Sequence, residues 1–226
     1  MKRHLKFQFL YASVFFLQLL AEYQQLIRLK QTTRPLVPIL LLLVLYFSTR
    51  LSGKFHKRIF AGLLFALAGD IFLLQPGNTS LVYGFSAFLI CHLCYISAFY
   101  LDFKSAPELD KRGARIAILI CGVLCTGFYF YLRPHLGAMR LPVLGYSLVM
   151  TMMVMMAAFR NQRVNRKSLG FVLAGASCFA VAAALLAVHQ FSDPFPEAGL
   201  FITGNYIAAQ YLITMGAITR KLLNKP

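Results

Sequence analysis

The sequence predicts an all-α fold, a polytopic membrane bundle of eight transmembrane helices, and three observations carry that expectation. Of the 226 residues, 59% are hydrophobic and 13% charged, whereas a water-soluble domain carries about a quarter charged residues to cover its surface. Mean hydropathy is +0.66. The 23 Lys and Arg outnumber the 7 Asp and Glu, for a formal charge of +16, and they sit in short clusters between long apolar runs, as in multi-pass membrane proteins. This composition excludes disorder, collagen and a coiled coil. It makes membrane lipid, and not nucleic acid, the expected partner.

A helix crosses the hydrocarbon with about 20 mostly apolar residues. Eight stretches qualify: 7–26, 35–51, 59–75, 82–101, 116–132, 141–159, 170–188 and 198–219. The first follows Lys2, Arg3 and Lys6 and has the outline of a signal peptide. Its apolar run is too long, however, and Leu20-Ala21-Glu22-Tyr23 is a poor cleavage site, so it is read as a retained helix. Helix-stopping residues separate the others: Arg34-Pro35, Gly53-Lys54, Gln75-Pro76-Gly77-Asn78, Arg133-Pro134 and Asp193-Pro194-Phe195-Pro196. No connection exceeds 15 residues, so 1–226 reads as a single transmembrane domain.

Loop charge sets the orientation. With the N-terminus inside, 18 basic residues are internal: Lys2, Arg3, Lys6, Arg50, Lys54, Lys57, Arg58, Lys104, Lys111, Arg112, Arg115, Arg160, Arg163, Arg166, Lys167, Arg220, Lys221 and Lys225. Only 5 are external: Arg28, Lys30, Arg34, Arg133 and Arg140. This alternation predicts an N-in, C-in topology. Short basic loops suggest a bacterial inner membrane, although an endoplasmic reticulum protein obeys the same rule.

Cys91, Cys94, Cys121, Cys125 and Cys178 all fall inside spans. Cys91-His92-Leu93-Cys94 has the spacing of half a metal site, but no second pair completes it. Small side chains packing between helices is the expected reading, with neither zinc nor a disulfide.

Carboxylates inside a bilayer cost about 2.5–3.5 kcal/mol on insertion scales and usually have a role. Asp102, Glu108, Asp110, Asp193 and Glu197 lie in loops or at span ends, where a solvated surface is expected, and Glu22 is placed to snorkel to the outer interface. Asp70 differs. It lies about 16 Å along its helix at 1.5 Å per residue, among the apolar residues of Ala66-Leu67-Ala68-Gly69-Asp70-Ile71-Phe72. His92 and Tyr95 share a face of the fourth helix, and Thr203, Tyr206 and Gln210 form a stripe on the eighth, with Asn205 adjacent. Such a stripe serves equally as hydrogen-bonding glue between helices; with Asp70 at similar depth, it points to a polar pocket. An offset of 113 residues sets Ala61-Gly62 on Ala174-Gly175, Asp70 on Ala183, Leu73 on Leu186 and His92 on Asn205, the trace of a possible four-plus-four pseudo-repeat.

These same residues carry a resemblance. The stretch 60–74, with Gly69-Asp70, is similar to the F-x-x-x-GD-x-x-L block of the YhhN-like lysoplasmalogenase family. Gly84 through Phe88, His92 and Tyr95 resemble its G-x-x-x-F-x-x-x-H-x-x-Y block, Thr33-Arg34-Pro35-Leu36 its T-K-P-L, and Tyr206 through Ala209-Gln210, Leu212 and Ile213 its Y-x-x-A-Q-x-L-I helix. One block departs: Ala182-Ala183 stands where the family's seventh helix carries Ser-Asp. The chain has either lost that acid natively or carries an engineered change.

The resemblance implies an ether hydrolase that cleaves the vinyl ether of a lysoplasmalogen to a fatty aldehyde and a glycerophospho-amine. Vinyl ethers are labile to acid: protonation at the β-carbon gives an oxocarbenium ion to which water adds. One carboxyl group must deliver a proton while a second group stabilises the cation, a division of labour that needs no metal or cofactor. Asp70 is expected to be one member, and position 183, here Ala183, the place of the other, so reduced turnover is expected. His92, Tyr95, Asn205, Tyr206 and Gln210 would orient the acid, the water and the glycerol hydroxyl. Arg34 would pair with the lipid phosphate or serve as an interfacial anchor. A small transporter and a non-catalytic lysolipid-binding protein are the alternatives.

Overall fold

The structure, a computed structural model, describes residues 2–223, with side chains from Phe7 onward. The side chains of Lys2, Arg3 and Lys6, and all of Lys225, lie outside the described residues. The chain forms α1 (Lys2–Tyr23), α2 (Ile27–Thr49), α3 (Gly53–Leu73), α4 (Asn78–Lys104), α5 (Lys111–Leu132), α6 (Arg140–Ala158), α7 (Arg166–Phe191) and α8 (Ala198–Ile218). Two 3₁₀ turns, Arg133–His135 and Gly137–Met139, join α5 to α6.

Five stretches are long and apolar enough to cross a membrane: Ile27–Thr49, Asn78–Lys104, Lys111–His135, Gly137–Ala158 and Arg166–Phe191. The protein is therefore a multi-pass integral membrane protein. The other three helices, α1, α3 and α8, carry Glu22, Asp70 and Tyr206.

One boundary needs correction. Arg34-Pro35 does not start a helix: α2 begins at Ile27 and runs through Pro35 and Pro38. Each proline removes one intrahelical donor, but in apolar surroundings an unwound backbone would leave several groups unpaired, so the helix continues. The remaining punctuation lies where the sequence puts it. Arg50 and Leu51 adopt φ near +50°, and Gly53 follows at +84° to open α3.

In the bundle, α8 packs against α1, α2, α3 and α7; α3 packs along α4, and α6 lies between α4, α5 and α7. The tightest seams use glycine. A Cβ on Gly175 would sit 2.8 Å from Ile213 Cγ1 and 2.9 Å from the Ala209 carbonyl oxygen, so only glycine lets α7 and α8 approach this closely. The Tyr95 ring occupies the space a Cβ on Gly62 would need at the α3–α4 seam. Helix α1 belongs to this packing: Tyr11 donates to the Ile207 carbonyl at 2.9 Å and stacks on Tyr211 with ring centroids 4.8 Å apart.

Asp102 is a second correction, since it is fully buried and not at a solvated surface. Its Oδ2 accepts from Arg160 Nε and its Oδ1 from Arg220 Nε, both at 2.8 Å. Arg160 also donates to Ser168 Oγ at 2.9 Å, and both guanidiniums lie over the Phe55 ring. One carboxylate thus ties α4 to the α6–α7 connection and to the residues after α8. Beside it, Arg163 donates to the carbonyls of Ala106, Pro107 and Leu109 and fixes the α4–α5 loop. Asp110 also departs from the solvated reading: it caps α5 through the Gly113 amide and accepts from Asn161 at 2.7 Å.

Removing one partner from a buried ion pair costs about 3–5 kcal/mol. Asp102→Ala is expected to lower stability by about that much, measured as thermal unfolding in detergent. A substitution at the exposed Glu108 is expected to leave the transition unchanged.

Candidate functional site

Asp70 lies in the last turn of α3 and is fully buried. A carboxylate there needs a countercharge and a donor on each oxygen, and two neighbouring helices supply them. From α2, Arg34 Nε donates to Oδ1 at 2.9 Å. From α8, the Tyr206 hydroxyl donates to Oδ2 at 2.6 Å. Arg34 reaches Asp70 because α2 starts well before residue 35. It is therefore the partner of the buried acid and not an isolated interfacial residue. Only its Nε is engaged; the side chain is 29% exposed, and its Nη groups bond no other described residue.

The expected stripe on α8 faces the interior. One turn beyond Tyr206, Gln210 Oε1 accepts from the Tyr95 hydroxyl at 2.6 Å. The Phe179 ring of α7 meets His92, Tyr95 and Tyr206 with centroids 4.9, 6.3 and 5.7 Å away. Neither His92 nor Tyr95 bonds Asp70. His92 is buried among aromatic rings, and among the described residues its two ring nitrogens have no hydrogen-bond partner; Gln210 Nε2 and Thr214 Oγ1 also have none. Ala183 lies one turn beyond Phe179 on α7, partly buried against the core. Asn205 stands apart from the others. It donates to the Phe201 carbonyl of its own helix and lines a groove of about 290 Å³ between α1 and α8, with Leu19, Leu200, Gly204 and Ala208.

Glu22 and Lys30 complete the surroundings. Glu22 is buried rather than snorkelling: Lys30 Nζ lies 2.7 Å from Oε2, and Thr203 donates to Oε1 at 3.2 Å. The sequence held a signal for this pairing. Lys30 and Arg34 are four residues apart and share one face of a helix, but beginning the span at Pro35 puts both in a loop. Among the described residues, no three His, Cys, Asp or Glu side chains gather into a metal-binding set, and the five cysteines are free thiols.

A sequence model of the YhhN family matches residues 29–217. The chain is 30% identical over 168 residues to a lysoplasmalogenase of Mycobacterium tuberculosis, covering 73% of this chain and 61% of the relative. It is 32% identical over 165 residues to lysoplasmalogenase TMEM86A of Bos taurus, covering 71% and 65%. To lysoplasmalogenase TMEM86B of Homo sapiens it is 30% identical over 167 residues, covering 74% and 66%. The chain thus spans about three fifths to two thirds of the length of these curated relatives. No solved structure matches.

The Arg34–Asp70 pair makes a stability prediction. Arg34→Leu strands a buried carboxylate and is expected to cost about 3–5 kcal/mol, whereas Arg34→Leu with Asp70→Asn is expected to recover part of that loss. Thermal melts of the two single variants and the double variant measure the coupling.

Proposed function

Because this chain belongs to the YhhN family, we propose that it is a lysoplasmalogenase-type ether hydrolase, releasing a fatty aldehyde and a glycerophospho-amine from a lysoplasmalogen drawn from the membrane. The observation that carries the reading is the fully buried Asp70 carboxylate, held between Arg34 and Tyr206 where the family blocks on α2, α3 and α8 converge. A charge so costly to bury is kept for chemistry more often than for packing.

Arg34 engages Asp70 through one edge only, which leaves a guanidinium fork suited to the lipid phosphate. The phosphate then lies beside Asp70, and the vinyl ether bond, a glycerol length away, lies within reach of the carboxylate. There Asp70 stabilises the oxocarbenium ion formed when the β-carbon takes a proton. Tyr206 fixes the carboxylate, while Tyr95, Gln210 and the unpartnered His92 offer buried polar groups for the attacking water and the glycerol hydroxyl. Position 183 is the family's place for a second acid, and Ala183 lowers turnover.

We take all eight helices as spans, N-in and C-in, in a bacterial inner membrane. Beyond the loop charges, one feature supports this: α1, α3 and α8 pack directly against apolar helices of the same bundle, α2, α4 and α7.

Aldehyde release from a lysoplasmalogen, with the saturated alkyl-ether lysolipid as control, tests the reading. Asp70→Asn is expected to lower the rate by about 10²–10⁴-fold, and Ala183→Asp to raise it. No aldehyde from the native chain or from Ala183→Asp would sink the reading and leave lipid binding or transport.

A further inference from the structure

The acid that the seventh helix lacks has a counterpart elsewhere in the bundle. Asp70 takes a cation from α2 (Arg34) and a hydroxyl from α8 (Tyr206). Glu22, from α1, takes a cation from α2 (Lys30) and a hydroxyl from α8 (Thr203). Lys30 and Arg34 are four residues apart, and Thr203 and Tyr206 three apart. The partners of the two carboxylates lie about one helical turn apart on both α2 and α8, so the acids form successive rungs between the same two helices.

Enzymes that pass through an oxocarbenium ion with two acids use one as proton donor and the other to stabilise the cation. The bundle also makes room for the outer rung: a Cβ on Gly199 would lie 3.0 Å from Glu22 Oε2, so glycine there lets the carboxylate sit against the start of α8.

We infer that Glu22 is the second catalytic carboxylate of this chain, serving from α1 the role that an acid at position 183 would serve from α7; the inference rests on the hydrolase reading above. The cations differ in kind: Asp70 faces the guanidinium of Arg34 and Glu22 the ammonium of Lys30. In this assignment Glu22, as the carboxylic acid, passes a proton to the β-carbon of the vinyl ether, and the cation forms opposite Asp70. Water adds to the α-carbon and returns a proton to Glu22. The hemiacetal then collapses: its carbon–oxygen bond to glycerol breaks, the glycerol oxygen takes the hydroxyl proton, and the aldehyde leaves. One water is consumed and both rungs are restored.

The test is a cycle on the 226-residue chain in lipid–detergent micelles, reading aldehyde release and its pH profile for the native chain, Glu22→Gln, Ala183→Asp and the double variant. In the native background, Glu22→Gln is expected to lower the rate by about 10²-fold or more and to remove one limb of the pH profile, with Glu22→Asp recovering part of the rate. In the Ala183→Asp background the same change is expected to cost less than about 10-fold, because the acid on α7 substitutes. If Glu22→Gln leaves Lys30 unpaired and the protein unfolds, Glu22→Gln with Lys30→Met removes the whole rung, and folded but inactive protein supports the inference. A native rate indifferent to Glu22→Gln overturns the inference alone. So does an equal loss in both backgrounds with an unchanged pH profile, which marks Glu22 as a structural partner of Lys30. Absence of aldehyde from the native chain and from Ala183→Asp overturns the hydrolase reading, and this inference with it.

Discussion

A charge buried in an apolar bundle must find its counter-ion, and that requirement organises the molecule. Glu22, Asp70 and Asp102 are all buried, and each is held by a basic residue from another part of the chain. The pairs occupy opposite ends of the bundle. Glu22–Lys30 and Asp70–Arg34 tie α1, α2, α3 and α8 together where α1 and α3 end and α2 and α8 begin. Asp102 with Arg160 and Arg220 ties α4 to the segments that follow α6 and α8 at the other end. Each pair stabilises the fold only while complete, since a lone charge in such surroundings destabilises it by more than the intact pair contributes.

The two ends differ in what they leave open. At the Asp102 end both carboxylate oxygens, both guanidiniums and Ser168 are committed to one another, beneath the Phe55 and Phe99 rings. Such closure suits a structural clamp. At the Asp70 end Arg34 retains an unused fork, and His92, Gln210 and Thr214 carry buried polar atoms without partners among the described residues. Unmet hydrogen-bonding capacity in a buried place suits a site that binds polar matter, water or substrate.

Helix α8 is the element on which these features meet. It donates to Glu22 through Thr203 and to Asp70 through Tyr206, accepts from Tyr95 through Gln210, and meets α7 at Gly175 with no Cβ between them. Its polar residues dilute its apolar character, as Glu22 and Gln18 do for α1 and as Asp70 and the basic first turns do for α3. The three helices that fall short as membrane spans on hydropathy are those that carry Glu22, Asp70 and Tyr206. The same logic accounts for α5, apolar and largely exposed at the rim, where lipid-facing surface needs no specific partner.

Eight helices, most of their connections and the burial of Asp70 were legible in the sequence, because hydropathy runs, Gly and Pro punctuation and an intramembrane acid are local signals. The stripe of Tyr206 and Gln210 was legible for the same reason, since a period of three to four residues assigns a face without knowledge of what lies opposite. Pairing was not legible. Nothing local says that Arg34 meets Asp70, that Lys30 meets Glu22, that Asp102 is buried between two arginines, or that Asn205 turns away from the site that Tyr206 joins. Pro35 even misdirected the reading, as a residue that breaks helices in water is tolerated where an unwound backbone would have no water to bond. The sequence determined which groups are costly to bury; the packing of α1, α2 and α8 around α3 decided which counter-ion each would meet, because charges find partners across space and not along the chain.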